Sequence, residues 1–229
     1  MRWSRAVVIF VSLLPACAAA PCRSAEFSDW LSFNTPVAGD HLNSIFLFGG
    51  RMSTTTFGDT LGFNTASGLQ APFYDNYIVG AAYQRDFYRI GGFVFALEAG
   101  IADRFGNYAE CCSPVVTTPN ILNSGEFWAG PNFRYDGIVF FNALRVTPGW
   151  TMGFSATTNS IGAERGNEIA APGSARFLVY LGPELAFSAV STPQWELVLR
   201  VQHRSGAWHT FGNLGEGYNA NEGGVRYHF

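Results

Sequence analysis

The last stretch of the chain, Gln194–Phe229, alternates so regularly between apolar and polar side chains that few folds can hold it. From Trp195 the odd positions read Trp195, Leu197, Leu199, Val201, His203 and Ser205, and the even ones Glu196, Val198, Arg200, Gln202 and Arg204. Side chains leave a strand on opposite faces with period two, so this is a strand with an apolar face and a charged face. The apolar face ends in a histidine and a serine. After a glycine-rich connection the pattern resumes, with Val225, Tyr227 and Phe229 on one face and Glu222, Arg226 and His228 on the other. A strand in a membrane turns its apolar face to lipid and its polar face to a filled interior, and it ends in aromatic girdles. The final residue, Phe229, is aromatic.

The rest of the chain repeats this design. Eight strands are predicted, at about 44–53, 76–88, 91–103, 125–136, 138–147, 175–190, 194–207 and 217–229; the first and fifth alternate least well. Long connections alternate with short ones near Arg89–Ile90, at Asp136–Gly137 and at Ser191–Pro193. Asp-Gly is a strong hairpin signal. Short periplasmic turns, longer outer loops and an even strand number describe an all-β fold, an eight-stranded antiparallel transmembrane β-barrel of the outer-membrane type spanning 44–229. So narrow a barrel is filled by side chains. The inward set by parity is Glu98, Glu126, Arg134, Arg145, Arg176, Glu184, Glu196, Arg200, Arg204, Glu222 and Arg226, which carries both signs and predicts a core plugged by ion pairs. A soluble sandwich or lipocalin-like barrel would instead turn the apolar faces inward.

Composition agrees: 48% of residues are hydrophobic and only 14% charged, and the net charge of −3 favours no nucleic-acid partner. At the N-terminus Arg2 and Arg5 precede the apolar run Ala6–Leu14 and the small residues Ala16–Ala20. This predicts a signal peptide over 1–20, cut between 18 and 25, and export to the outer membrane of a Gram-negative cell. Lipoprotein processing at Cys17 is the other reading of that segment. Residues 26–43 lack a period and read as a periplasmic lead-in. Cys22 and the neighbours Cys111 and Cys112 match no metal spacing and are read as structural. Neither a metal nor an organic cofactor is implied.

The turn at Ser191–Pro193 starts the seventh strand on the periplasmic side. From Trp195 to Ser205, at about 3.3 Å per residue and a tilt of roughly 40°, it climbs on the order of 25 Å, the height of the apolar band. His203 and Ser205 are therefore expected to face lipid at the outer-leaflet boundary, with Trp195 in the inner aromatic girdle. A serine and a histidine two apart on one face meet the first requirement of an activated nucleophile. His-x-Ser is a weak motif in isolation, and the spacing alone favours an interfacial aromatic followed by a turn at Ser205–Gly206.

The segment Leu199–Gly206, followed by Gly217-Tyr218-Asn219 and Gly224–Phe229, resembles the C-terminal signature of the PagL-type lipid A 3-O-deacylases, or acyloxyacyl hydrolases. Phe127–Pro131 and Tyr180–Leu185 are similar to segments of the same relatives. The resemblance implies an outer-membrane serine esterase that removes an ester-linked acyl chain from lipid A of lipopolysaccharide, with Ser205 as nucleophile and His203 as general base. The partner it implies is lipopolysaccharide in the outer leaflet; a homodimer is left open. The alternative function is a non-catalytic structural or adhesive barrel. A lipid A acyltransferase would use the same lipid-facing geometry.

Two positions depart from the family pattern. Its best-studied form orients the histidine with a glutamate on the last strand, whereas Glu222 is out of phase here and in-phase positions hold Asn219 and Asn221. If Phe229 lies opposite Trp195, Asn219 faces Ser205 and Asn221 faces His203. Asn219 is the expected orienter, with Glu216 at the loop edge as the alternative. The residue after the nucleophile is Gly206 where the family has asparagine, so the oxyanion contact is assigned to the Gly206 backbone N–H. His41, His209 and His228 are read as core or surface residues.

Overall fold

Strands that carry apolar side chains on one face and charges on the other satisfy both by closing on themselves, and the computed structural model of the chain shows that closure. It describes residues 30–33, 41–53, 56–61, 73–106, 122–170 and 172–229. The expected signal peptide and all four cysteines lie outside the described residues, as does most of the expected lead-in.

The barrel consists of β2 (Asn43–Ser53), β3 (Phe73–Ile90), β4 (Phe93–Gly106), β5 (Leu122–Tyr135), β7 (Leu144–Thr157), β8 (Phe177–Ala189), β9 (Trp195–Ser205) and β10 (Glu216–His228). Each pairs antiparallel with the next in this order, and β10 pairs with β2, so eight strands close with no free edge. Two short strands, β1 (Leu31–Ser32) and β6 (Ile138–Phe140), extend β7 at the end that carries the short connections. Between β2 and β3 is one helical turn, α1 (Phe57–Thr60), and between β7 and β8 a helix, α2 (Gly162–Ala170). Among the described residues no helix is long and apolar enough to cross a membrane.

Seven strands match the sequence reading to within a few residues at each end. The fifth does not. Residues 138–147 were expected to form it, but only 138–140 are paired at their start, and the barrel strand is Leu144–Thr157. Pro148 occupies a regular register position of that strand, opposite Leu185. The Asp136–Gly137 hairpin is likewise corrected. The Asp136 N–H donates to the Gly92 carbonyl, and the reversal comes at Phe141 and Asn142, both left-handed, where the Ala143 N–H bonds the Phe140 carbonyl. Asn tolerates that conformation, but nothing in the sequence marks a phenylalanine for it. The first periplasmic turn falls at Gly91–Gly92, two residues past Arg89–Ile90.

Outward residues such as Leu47, Leu97, Ile101, Leu197 and Leu199 are half exposed or more, forming the apolar band. At the edge that carries the short connections Tyr227 packs tilted against Trp195 and stacks on Phe229, with centroids 4.6 and 6.2 Å apart. Inside, charges are paired in tiers. Arg200 donates to Glu98 at 2.7 Å and Glu184 at 2.6 Å, and Arg226 joins Glu184 to Glu196. Outward of these, Arg104 and Arg204 both bond Glu164, carried in from α2, while Tyr218 and Gln202 donate to Glu126. Of the expected inward charges only Arg176 is misplaced: it lies one residue before β8 and is exposed at the outer rim.

Because losing one partner strands the other charge in the core, Arg200→Met should destabilise the barrel by about 3–5 kcal/mol. Glu222, buried with neither carboxyl oxygen hydrogen-bonded, should tolerate Glu222→Gln with no loss of stability. Urea unfolding of the two variants, followed by heat-modifiable migration in gels, checks both outcomes.

Candidate active site

The outer ends of β9 and β10 hold the residues singled out by sequence. The charged inward positions Arg200, Gln202 and Arg204 leave Val201, His203 and Ser205 on the outward face. The register differs from the expected one by two residues: Tyr227, not Phe229, lies opposite Trp195, so Asn219 is the partner of His203 and Asn221 that of Val201. The Asn219 side-chain oxygen is 2.6 Å from His203 Nδ1. With the amide oxygen as acceptor, Nδ1 carries the hydrogen and Nε2 keeps its lone pair, the tautomer a general base needs.

A bulge at Gly217 shifts β10 by one residue between Tyr218 and Glu216. Tyr218 stays inward, opposite Arg204, while Glu216 is turned into phase with Ser205 as its register partner. A side chain at Gly217 would press a Cβ to 2.8 Å from the Arg204 carbonyl, so the glycine makes the bulge. Glu216 is exposed and makes no side-chain bond to His203; its carbonyl accepts from Asn167 of α2 at 2.8 Å. The orienting contact on the imidazole is therefore the Asn219 amide.

His203 was expected to face lipid, yet it is only 6% exposed. The ring of Phe57, on α1, stacks over it at 4.3 Å between centroids and 26° between planes. Sequence reasoning missed this cover. Its signal was Thr56-Phe57-Gly58-Asp59, a capping pattern: Thr56 Oγ1 accepts from the Asp59 N–H at 3.3 Å and donates to the Asp59 carboxylate at 2.9 Å. Ser53 of β2, register partner of Asn219, and Thr60 lie behind the pair, their hydroxyls 3.5 Å apart.

Ser205 is half-buried, and its hydroxyl makes no hydrogen bond among the described residues. The assignment of the oxyanion contact to Gly206 is not supported, because that N–H donates to the Gly215 carbonyl at 3.1 Å. Glycine is needed there for close approach: a Cβ would fall 1.8 Å from the Leu214 carbonyl oxygen. The next residues carry donors that are not used within the loop. Ala207, Trp208 and His209 are three successive non-glycine residues at φ 48°, 57° and 68°. Successive N–H groups in a turn can converge on an anion. The His209 N–H is used by the Leu214 carbonyl, whereas those of Ala207 and Trp208 have no partner among the described residues.

An open groove of about 550 Å³ runs along the outer wall below α1, walled by Leu61, Trp150, Pro183, Leu185, Leu199 and Val201. Its upper members are register neighbours of the site, since Val201 is two residues from His203. Among the described residues no group of three or more His, Cys, Asp or Glu side chains is placed to hold a metal ion.

No protein-family model matches the chain, and no curated protein matches its sequence. Among solved structures it is similar to the outer membrane enzyme PagL, with a TM-score of 0.48 and 9% identity over 80% of this chain and 98% of that one. It is also similar to the N-terminal β-barrel domain of Pseudomonas aeruginosa OprF, with a TM-score of 0.39 and 11% identity over 83% and 99% of the two chains. A third is Ail, the attachment invasion locus protein of Yersinia pestis, with a TM-score of 0.38 and 11% identity over 88% and 99%. At such identities these likenesses say nothing of the site's chemistry.

If Phe57 is what shields the imidazole, Phe57→Ala should raise the rate at which diethyl pyrocarbonate modifies His203 severalfold, with His209 unchanged, as read by peptide mass spectrometry.

Proposed function

We propose that this protein is an outer-membrane serine esterase that removes an ester-linked acyl chain from lipid A of lipopolysaccharide by 3-O-deacylation. The observation that carries the reading is the Asn219–His203 hydrogen bond beside Ser205 on the outward face of the barrel. A polar triplet is costly against hydrocarbon and has a use there when the substrate is itself a lipid. The groove below α1 suits an acyl chain lying along the wall.

In this reading Ser205 turns toward His203 Nε2 as the ester enters, a contact that often tightens only with substrate bound. The Ser205 oxygen attacks the ester carbonyl and its proton passes to Nε2. The Ala207 and Trp208 N–H groups receive the oxyanion of the tetrahedral intermediate. Its collapse breaks the bond to the sugar oxygen, which takes the proton from His203 as it leaves as a hydroxyl, and an acyl-serine remains. Water, deprotonated by His203, then releases the fatty acid and restores Ser205. Asn219 holds the imidazole but, being neutral, stabilises its protonated form less than a carboxylate would. No step calls for a metal or a cofactor. Residues 1–20 act as the export signal, and 26–43 form the lead-in on the periplasmic side.

The neutral orienter and the unbonded Ser205 hydroxyl also suit a second reading, a barrel that keeps the fold without the activity. Expression in outer membranes followed by mass spectrometry of extracted lipid A separates the two. Native protein should remove one hydroxyacyl chain and Ser205→Ala should remove none. Unchanged lipid A with both, despite folded barrels, would overturn the esterase. Given activity, Asn219→Asp should raise turnover about tenfold, the gain of a charge-assisted over a neutral hydrogen bond, and His203→Ala should lower it by about 10²–10⁴.

A further inference from the structure

Outside the site, a polar recess of about 520 Å³ opens at the outer rim between α2 and the segment leading into β8. It is walled by Ser160, Arg165, Glu168, Ser174 and Arg176. The two sides of α2 do different things. Glu164 points inward to Arg104 and Arg204, while Arg165 and Glu168 face the recess.

The charges there do not cancel. Glu168 accepts from the Ser160 hydroxyl, from the Ala175 N–H at 2.6 Å and from Arg165 at 3.0 Å. Burial pushes its carboxyl up, but these donors outweigh that effect and hold it below the usual carboxylate range, so it is ionised at neutral pH. It thereby offsets Arg165. The Arg176 guanidinium is exposed and makes no ion pair or hydrogen bond among the described residues. One positive charge in a polar recess is left without a counterpart.

The recess is fastened to the site. The Ser174 N–H donates to the Gly212 carbonyl at 2.7 Å, and Asn213 donates to the Pro172 carbonyl at 2.5 Å, joining its wall to the loop that follows Ser205. Val179 is the register partner of Ser205, so Arg176, three residues further along, is about 10 Å outward of the nucleophile. Between them the rings of Phe154, Phe177 and Phe211 form a cluster with centroids 5.4–6.1 Å apart, an apolar shelf below a polar recess. That is the order in which an acylated sugar meets its charged substituents at a membrane surface.

We propose that this recess binds a phosphate group, carried on the sugar headgroup of the lipid whose ester reaches Ser205, with Arg176 as its main contact and Arg165 as a second. A guanidinium presents paired N–H donors that match two phosphate oxygens. The proposal rests on the esterase reading for the position of the ester and makes the anionic headgroup a determinant of specificity.

The test uses Ser205→Ala protein in detergent micelles, so that binding is read without turnover. Retention of diphosphorylated lipid A and of its fully dephosphorylated form is measured by native mass spectrometry, with and without Arg176→Gln and Arg176→Lys. Arg176→Gln should weaken binding of the phosphorylated lipid roughly tenfold, the size of one charge-assisted hydrogen bond. The dephosphorylated lipid should be unaffected, and Arg176→Lys should restore part of the loss. Equal loss for both lipids, or none for either, would overturn the site. Inorganic phosphate alone should displace the lipid only weakly; displacement as strong as by the lipid itself would assign the recess to free phosphate and sink the headgroup proposal. If headgroup binding follows the expected pattern while native protein leaves lipid A intact, the esterase reading fails and the recess stands.

Discussion

An arginine inside an eight-stranded barrel has no bulk water to turn to, so its charge must be met by other side chains that also point inward. Arg200 shows how far this reaches. Its guanidinium holds Glu98 of β4 and Glu184 of β8, and through Glu184 it is coupled to Arg226 of β10. Arg104 and Arg204 do the same around Glu126 and Glu164, drawing α2 into the outer mouth. These contacts cross the lumen between strands distant in sequence, so the wall gains its rigidity from inside. The outer face, solvated by lipid, contributes little comparable holding.

The candidate site is a consequence of that interior. With Arg200, Gln202 and Arg204 committed inward, strand pleating leaves no choice about Val201, His203 and Ser205. The cost is polar side chains on an apolar surface, and the fold meets it locally. Asn219 bonds the imidazole, Phe57 lies across its face, and α1 closes over the β2–β10 seam. Only Ser205 stays half open, at the edge nearest the loop.

That loop stores strain where the chemistry would use it. Three non-glycine residues in the left-handed region cost on the order of 1–2 kcal/mol each. They are held by the bonds from Gly206, His209, Thr210 and Phe211 within the loop and by the bond from Ser174 outside it. What the strain leaves is a pair of adjacent N–H groups, Ala207 and Trp208, without a partner among the described residues. It is a backbone device, which leaves no mark in residue type.

Much of this was legible in the amino-acid order. Period-two alternation is local and needs no knowledge of neighbours, so it revealed the barrel, seven of its strands, the outward phase of His203 and Ser205 and nearly every inward charge. The exceptions are instructive. Arg176 kept the right parity but fell one residue short of the strand, where parity no longer rules. The fifth strand, expected to end at 147, runs on through Pro148: a proline cannot donate to a ladder, yet the antiparallel register has places where no donation is asked. Strand register was beyond reach: the connections are long enough to allow registers two residues apart at little cost, and the closed barrel holds the one that sets Asn219, not Asn221, beside His203. The strands and their faces were thus determined by the sequence alone, through steric rules acting between adjacent residues. The contacts that make a site of them, Asn219 on His203, Phe57 above it and the free N–H groups after Gly206, were decided only in three dimensions, because each depends on which distant segment the closed barrel brings alongside.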